Sequence, residues 1–316
     1  MPPPDFAPEA PFFIVLNAGS GHNDGALTCA AIEGVLGAAG REFRILRVED
    51  PRRLAATAAE AVELARARGG VVVAAGGDGT INAVAQAVLG SGCTFGVLPQ
   101  GTFNYFGREH GIPAETAAAT RLLLTGKARP VQVGLVNERV FLVNASLGLY
   151  PQLLEDREAW KRQLGRSRLV AFGAGLLTLL RAHRRLRLHF EVHGQAREVR
   201  TATLFVGNNR LQMKQIGTAS AFEQGQLAAI RLRPVGTLGM LWLLMRGAMS
   251  SLGDARNVVS FGFDSLVVRR SHLSRARPIK LATDGEVTWI EPPLVFRVSP
   301  EPLQLLMPEP AEGGAA

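Results

Sequence analysis

The sequence predicts an N-terminal three-layer α/β domain with a parallel sheet, followed by a C-terminal antiparallel β-sandwich domain. Three observations predict it. Between residues 11 and about 126, extended apolar runs alternate with helical runs, the rhythm of strand–helix–strand units. Several of those extended runs are apolar throughout, as strands covered on both faces must be. Near residue 128 the rhythm changes to short β-rich runs separated by tight turns, the pattern of a sandwich. A chain of 316 residues is also long for one core and suits two domains.

The elements follow in order. "FFIVLN" (12–17) is a strand, and "GALTCAAIEGVLGAAG" (25–40) a helix that Gly40 can end. "EFRILRV" (42–48) is a strand. Pro51 opens the helix "RRLAATAAEAVELARAR", which Gly69-Gly70 close. "VVVAA" is a strand followed by the helix "TINAVAQAVLG", and "CTFGVLP" (93–99) is a strand followed by the helix "AETAAATRLLLTG" (114–126). Then come "PVQVGLV", "RVFLVNASLG", "RLRLHFEVHG", "REVRTATLFVGN", "QLAAIRLRP", "SLVVRR", "PIKLATDGEV" and "LVFRVSP". "FEVHGQAREVRT" reads as a hairpin around Gly194-Gln195. Two helical insertions are expected at about 153–182 and 236–251. The expected organisation is a nucleotide-binding domain over 11–128, with 301–307 packing back on it, and a β-rich domain over 129–300. Residues 1–10 and 308–316 read as loose Pro-, Ala- and Gly-rich tails.

Composition narrows the function. The net charge is +8 and the pI about 10.4, which favours an anionic partner such as a nucleic acid, a nucleotide or an acidic membrane surface. With three Trp and two Tyr there is little to stack bases on, so nucleic acid is not the expected partner. Cys29 and Cys93 read as buried free thiols, without zinc-site spacing. They fit a reducing, cytoplasmic setting. The start of the chain lacks the basic-then-apolar pattern of a signal peptide. The longest apolar stretches, 169–180 and 235–245, fall short of the roughly 20 residues that span a bilayer, so the expectation is a soluble protein that can touch a membrane.

The chemistry gathers at "VVVAAGGDGTINAVAQAV" (71–88). Here a strand gives way to a helix at the end where open α/β sheets bind ligands. Glycine lets backbone approach a ligand, and the helix start offers amide donors for phosphate. Asp78 cannot neutralise phosphate itself. It makes sense through a bridging Mg²⁺ or as an acceptor for a hydroxyl proton; the plainer alternative is a Gly-rich turn with Asp78 as helix cap. "LNAGSGHN" (16–23) and "LPQGTFNYFG" (98–107) occupy equivalent places after other strands and carry the donors Asn17, Ser20, Thr102 and Asn104. Three such loops on one sheet would converge on one crevice. Neither the P-loop nor the dinucleotide fingerprint is present.

The ordered set "LNAGSG", "AAGGDGTIN", "VLPQGTFNYFGREHGIP", "FLVNASLGLYP", "LFVGNN" and "LATDGEV" resembles the diacylglycerol kinase catalytic-domain family, which includes bacterial lipid kinases, sphingosine kinases and ceramide kinases. The resemblance covers about residues 11 to 307. Its Gly-Gly-Asp-Gly element is shared with phosphofructokinases and nicotinamide-nucleotide kinases. The resemblance implies ATP and Mg²⁺ bound between two domains and transfer of the γ-phosphoryl group to a lipid hydroxyl. It implies that Asn17, Ser20 and Gly21 form the first nucleotide loop. Gly76, Gly77, Asp78, Gly79, Thr80, Ile81 and Asn82 would form the loop under the phosphates, with Gly101, Thr102 and Asn104 completing the pocket. It implies a catalytic role for Asp284 and Glu286, with Glu286 as the base. Taken alone, Asp284-Gly285 is an ordinary turn pair.

The sequence departs from that family at three places. Ala83 follows Asn82 where the family often has Glu. Tyr105 follows Asn104 where it often has Asp. "FEQGQLAAI" puts Glu223 and Gln224 where aspartates stand by a structural Mg²⁺; the matching ligands here would be Gln224 with main-chain carbonyls at Leu227 and Ala229. Membrane contact is expected from "WKRQLGRSRLVAFGAGLLTLLRAHRRLRL" (160–188). Its arginines, Arg181, Arg184, Arg185 and Arg187, would meet anionic head groups, and Leu176, Leu177 and Leu180 acyl chains; the alternative is a helix packed on its own sheet. His22 and His110 read as pocket-edge residues. A homodimer is compatible with the sequence. Two other readings stay open: a nicotinamide-nucleotide kinase, and a non-catalytic lipid-binding regulator of the same fold.

Overall fold

A computed structural model describes residues 9–17, 25–148, 186–192, 195–201, 203–209, 213, 225–232, 258–270 and 278–309. The chain divides into two compact units, 1–133 with 299–316, and 134–298. Both expected helical insertions, and with them the basic apolar segment before Leu186, lie outside the described residues.

The first unit is built on a six-stranded sheet. Its strands are β1 (Phe12–Asn17), β2 (Phe43–Val48), β3 (Val71–Gly76), β4 (Thr94–Pro99), β5 (Lys127–Val131) and β18 (Leu303–Met307), in the order β2-β1-β3-β4-β18-β5. The strands β1 to β4 run parallel, and β18 runs parallel to β4 and antiparallel to β5. Every residue of β3 and β4 is buried. That is why these two read as unbroken runs of small and branched apolar residues. The edge strand β2 instead exposes Arg44 and Arg47 between buried or half-buried neighbours. β5 stays in this first sheet, so the boundary between units falls at Val133, a few residues beyond 128.

Helices cover both faces. α1 (Gly25–Ala38) packs beside α5 (Thr116–Thr125), and α2 (Leu54–Arg68) beside α3 (Asp78–Val88). Right-handed crossovers explain the pairing. The chain steps outward from β1 to β2, then returns past β1 to β3, so α1 and α2 fall on opposite faces. That reversal between β1 and β3 is the place where sheets of this class open a crevice at their carboxyl ends. Gly69 ends α2 in the left-handed region at φ 61°, the expected work of a glycine there.

The second unit holds two six-stranded sheets. One contains β6 (Gly134–Val136), β7 (Arg139–Phe141), β9 (Leu186–Val192), β10 (Gln195–Thr201), β14 (Ser265–Arg270) and β17 (Leu294–Val298). The other contains β8 (Asn144–Gly148), β11 (Thr203–Gly207), β12 (Leu227–Leu232), β13 (Val258–Phe263), β15 (Ile279–Thr283) and β16 (Glu286–Ile290). Alternate residues of both sheets meet in one core, as in a sandwich. Phe141, Phe263 and Phe296 lie in it at zero exposure, each contributing about 1.5–3 kcal/mol by burial. β9 and β10 form the expected hairpin, but Gln195 pairs with Val192, so Gln195 is a strand residue and the connection falls one residue earlier. The first of several passages between these sheets falls at Leu142-Val143, between β7 and β8.

A short helix, α4 (Tyr105–Glu109), follows the loop after β4 and ends at His110. Its glycine-rich sequence gives no helical periodicity to detect. The His110 ring lies edge-on to Phe106 with centroids 4.7 Å apart, and burial lowers its pKa to about 4. The folded state therefore stays neutral where an unfolded chain, with a pKa of 6.5, takes a proton. This stabilisation is complete above the unfolded value and is lost as pH falls toward the folded one. It should be about 2 kcal/mol weaker at pH 5 than at pH 7.5. Urea unfolding of the protein and of His110→Gln at both pH values should show the variant lacking that share of the acid sensitivity.

Candidate functional site

The end of β1 and the loops after β3 and β4 meet beside the β1/β3 reversal. The side-chain Nδ2 of Asn17, at the end of β1, donates to Thr80 Oγ1 in the first turn of α3 at 3.0 Å. The loop after β4 closes on the loop after β3. Gln100 N donates to Gly76 O at 2.8 Å, and a Cβ on Gly101 would lie 3.1 Å from Gly77 Cα and 2.8 Å from Asn104 Oδ1. A Cβ on Gly76 would sit 2.6 Å from both Cβ and Oγ1 of Thr80. Glycine is needed at these places because backbone passes so close to backbone and side chain, and not because of an unusual φ.

Asn104 holds the loop after β4. It is left-handed at φ 47° and buried, and its Oδ1 accepts from Gly101 N at 2.9 Å. Asparagine tolerates that conformation better than most residues. Gln100, which the sequence analysis passed over, ties the same loop to two helices. Its Nε2 donates to Thr116 Oγ1 at 3.0 Å and its Oε1 accepts from Thr28 Oγ1 at 3.4 Å. The available signal was a lone amide between Pro99 and Gly101 at the end of a buried strand, since a polar group there must find partners.

Asp78 is the first residue of α3, and Gly77 is the N-cap, so the plain capping explanation does not hold. The backbone amides of Asn104, Tyr105 and Phe106 donate to its carboxylate and lower its pKa, yet burial outweighs them and the carboxyl is raised above the usual aspartate value. Its Oδ1 is buried with no hydrogen-bond partner among the described residues. An anion is thus held where solvent no longer stabilises it and the protein stabilises it only in part.

The remaining positions divide. Gly79 is half-buried and Thr80 buried beside Gly76. Asn82 is half-buried and already engaged. Ile81 points into the core at zero exposure, so only its backbone belongs to the loop. Thr102 is exposed. Ser20, Gly21 and Gln224 lie outside the described residues. Leu227 and Ala229 are core residues of β12; Ala229 is paired on both edges and Leu227 with β13. Among the described residues no group of three or more His, Cys, Asp or Glu side chains gathers to hold a metal.

In the second unit, Glu286 opens β16 and is exposed. Asp284 and Gly285 form the two-residue turn before it, both with positive φ, 48° and 92°, as a tight hairpin requires. The Asp284 carboxylate is not turned to solvent. It accepts from the amides of Leu142 at 2.7 Å, Val143 at 2.9 Å and Asn144 at 2.9 Å.

The raised pKa of Asp78 carries a sign for stability. A carboxyl whose folded pKa is raised costs stability once pH passes its unfolded value and the group must ionise in place. With a chelator present, Asp78→Asn should therefore melt at a higher temperature than the parent protein at pH 8. The gap should narrow as pH falls and Asp78 takes its proton. Scanning calorimetry from pH 8 to pH 4.5 measures both.

Comparison with known proteins follows the same lines. Residues 11–136 match the family model described as the diacylglycerol kinase catalytic domain. A diacylglycerol kinase of Bacillus subtilis is 39% identical over 115 residues, 35% of this chain and 38% of that protein. A protein of Pseudomonas aeruginosa named "Probable lipid kinase YegS-like" is 42% identical over 135 residues, 40% of this chain and 42% of that one. The chain thus spans about half, or less, of the length of the curated relatives it matches. A crystal structure of a diacylglycerol kinase from Bacillus anthracis superposes with a TM-score of 0.67 at 18% identity, over 95% of this chain and 97% of that one, which shows a shared fold. Residues 11–136 are thus similar to the diacylglycerol kinase catalytic domain.

Proposed function

We propose that this protein is a lipid kinase that transfers the γ-phosphoryl group of ATP to a hydroxyl of a membrane lipid, of the diacylglycerol, phosphatidylglycerol or sphingoid class. The observation that carries the reading is the buried Oδ1 of Asp78, unpartnered among the described residues, where the end of β1 and the loops after β3 and β4 meet. A phosphate alone would be repelled there. A nucleotide with a divalent cation fits, because the cation gives that oxygen its partner and neutralises phosphate charge. Asp78 would hold the cation. Gly76, Gly77 and Gly101 would let the phosphates approach backbone, and Asn17, Thr80 and Asn104 fix the loops. Glu286, exposed at the start of β16, would accept the proton of the lipid hydroxyl.

A lipid substrate requires access to a membrane. Among the described residues no helix is long and apolar enough to cross one. We take the protein to act at the surface, where a charge of +8 favours anionic lipid.

The test is a kinase assay with ATP and Mg²⁺ on mixed micelles of the three lipid classes, read by mass spectrometry. The expected result is a phosphorylated lipid from at least one class and a loss of about 100-fold or more in turnover for Asp78→Ala. No lipid product, phosphorylation of NAD instead, or full activity in Asp78→Ala would overturn the reading.

A further inference from the structure

A place where the chain leaves one sheet of the sandwich for the other is a point of weakness. A segment between sheets has no ladder to satisfy its backbone, and buried amides and carbonyls must be paired some other way. Leu142 and Val143 make this passage and are each 2% exposed. Together with Asn144 they present three amides and three carbonyls. All six are satisfied, and two sources among the described residues supply the partners.

Asp284 is the first source. Its two carboxylate oxygens take the three amides, and its own amide donates to Asn144 O at 2.9 Å. The end of β11 is the second. Asn208 Nδ2 donates to Leu142 O at 2.9 Å, and the amides of Asn208 and Asn209 donate to Val143 O at 2.9 and 3.2 Å. Asn208 and Asn209 are buried. The crossover is gripped from both sides, and one grip is the turn that leads directly into Glu286.

We propose that Asp284 is a positioning residue and not the proton acceptor. Its carboxylate clamps the sheet-to-sheet crossover Leu142–Asn144 to the turn between β15 and β16, and so fixes where Glu286 stands. A carboxylate that already accepts three backbone amides has three of its roughly four lone-pair sites committed to folding, whereas Glu286 beside it is exposed. This assignment rests on the lipid-kinase reading for the chemistry, while the clamp itself does not.

The substitutions separate the two roles. In Asp284→Asn one oxygen remains, and Oδ1 can keep the amides of Val143 and Asn144 while the bond from Leu142 is lost. In Asp284→Ala all three go. Two measurements are made on the full chain: hydrogen exchange at the amides of residues 142–144, and turnover with ATP and lipid. Exchange protection should fall in the order parent, Asp284→Asn, Asp284→Ala. Turnover should fall in the same order, with the Asn variant within about 10-fold of the parent. Glu286→Gln should lose about 100- to 10,000-fold with protection unchanged. An Asp284→Asn protein as inactive as Glu286→Gln, yet with its protection retained, would make Asp284 the proton acceptor and overturn the proposal. Should the Asp284 variants not fold, Asn208→Ala loosens the same segment from the other side. It should lower protection and turnover together, and parent-level turnover with lowered protection would overturn the positioning role. If the parent phosphorylates no lipid, the functional reading falls, and unchanged exchange in Asp284→Ala would then refute the clamp by itself.

Discussion

The first unit depends on the reversal of chain direction between β1 and β3. Parallel strands must end on the same side, so each strand–helix junction delivers a loop to one edge of the sheet. The reversal sends the flanking helices to opposite faces and leaves the edge open between them. What this sequence adds is compression. Gly76 and Gly101 bring backbone within distances that a methyl group would violate, and Asn17, Gln100 and Asn104 stitch the loops together with side-chain bonds. Among the described residues the resulting edge presents one carboxylate, Asp78, held without full compensation. A protein that only needed a turn would have no reason to retain that cost.

The two acidic residues on which the sequence places most weight have opposite surroundings. Asp78 sits in a place that disfavours its charge and has an oxygen without a partner among the described residues. Asp284 sits among three donors. A carboxylate in the first situation is available to a cation, and one in the second is part of the scaffold. Burial, hydrogen bonding and the location of each turn decide this, and both residues appear in the sequence simply as Asp beside Gly.

That contrast also marks how far the sequence could be read. The α/β first part was legible because "VVVAA" and "FGVL" are apolar without alternation, and because glycine and proline mark the junctions. The loops after β3 and β4 were legible because each follows such a strand. α4 was not, since a five-residue helix has no period to detect. The grip on Leu142–Asn144 was not legible either. It joins residues about 140 positions apart in sequence, and the segments "FLVNAS", "GNN" and "ATDGE" show no local sign that they meet. The burial of Ile81 illustrates a lesser limit, because a motif names a stretch of chain and does not say which side chains face the ligand.

The central claim is that the unpartnered oxygen of Asp78 is the seat of a cation-bound nucleotide. Isothermal titration of the purified protein with ATP, with and without Mg²⁺, tests it most directly when repeated on Asp78→Asn. The account predicts that ATP binds appreciably only with the cation present, and that Asp78→Asn weakens binding by about tenfold or more while its melting temperature does not fall. Equal ATP affinity in the two proteins, or binding in the parent that is indifferent to Mg²⁺, would contradict it.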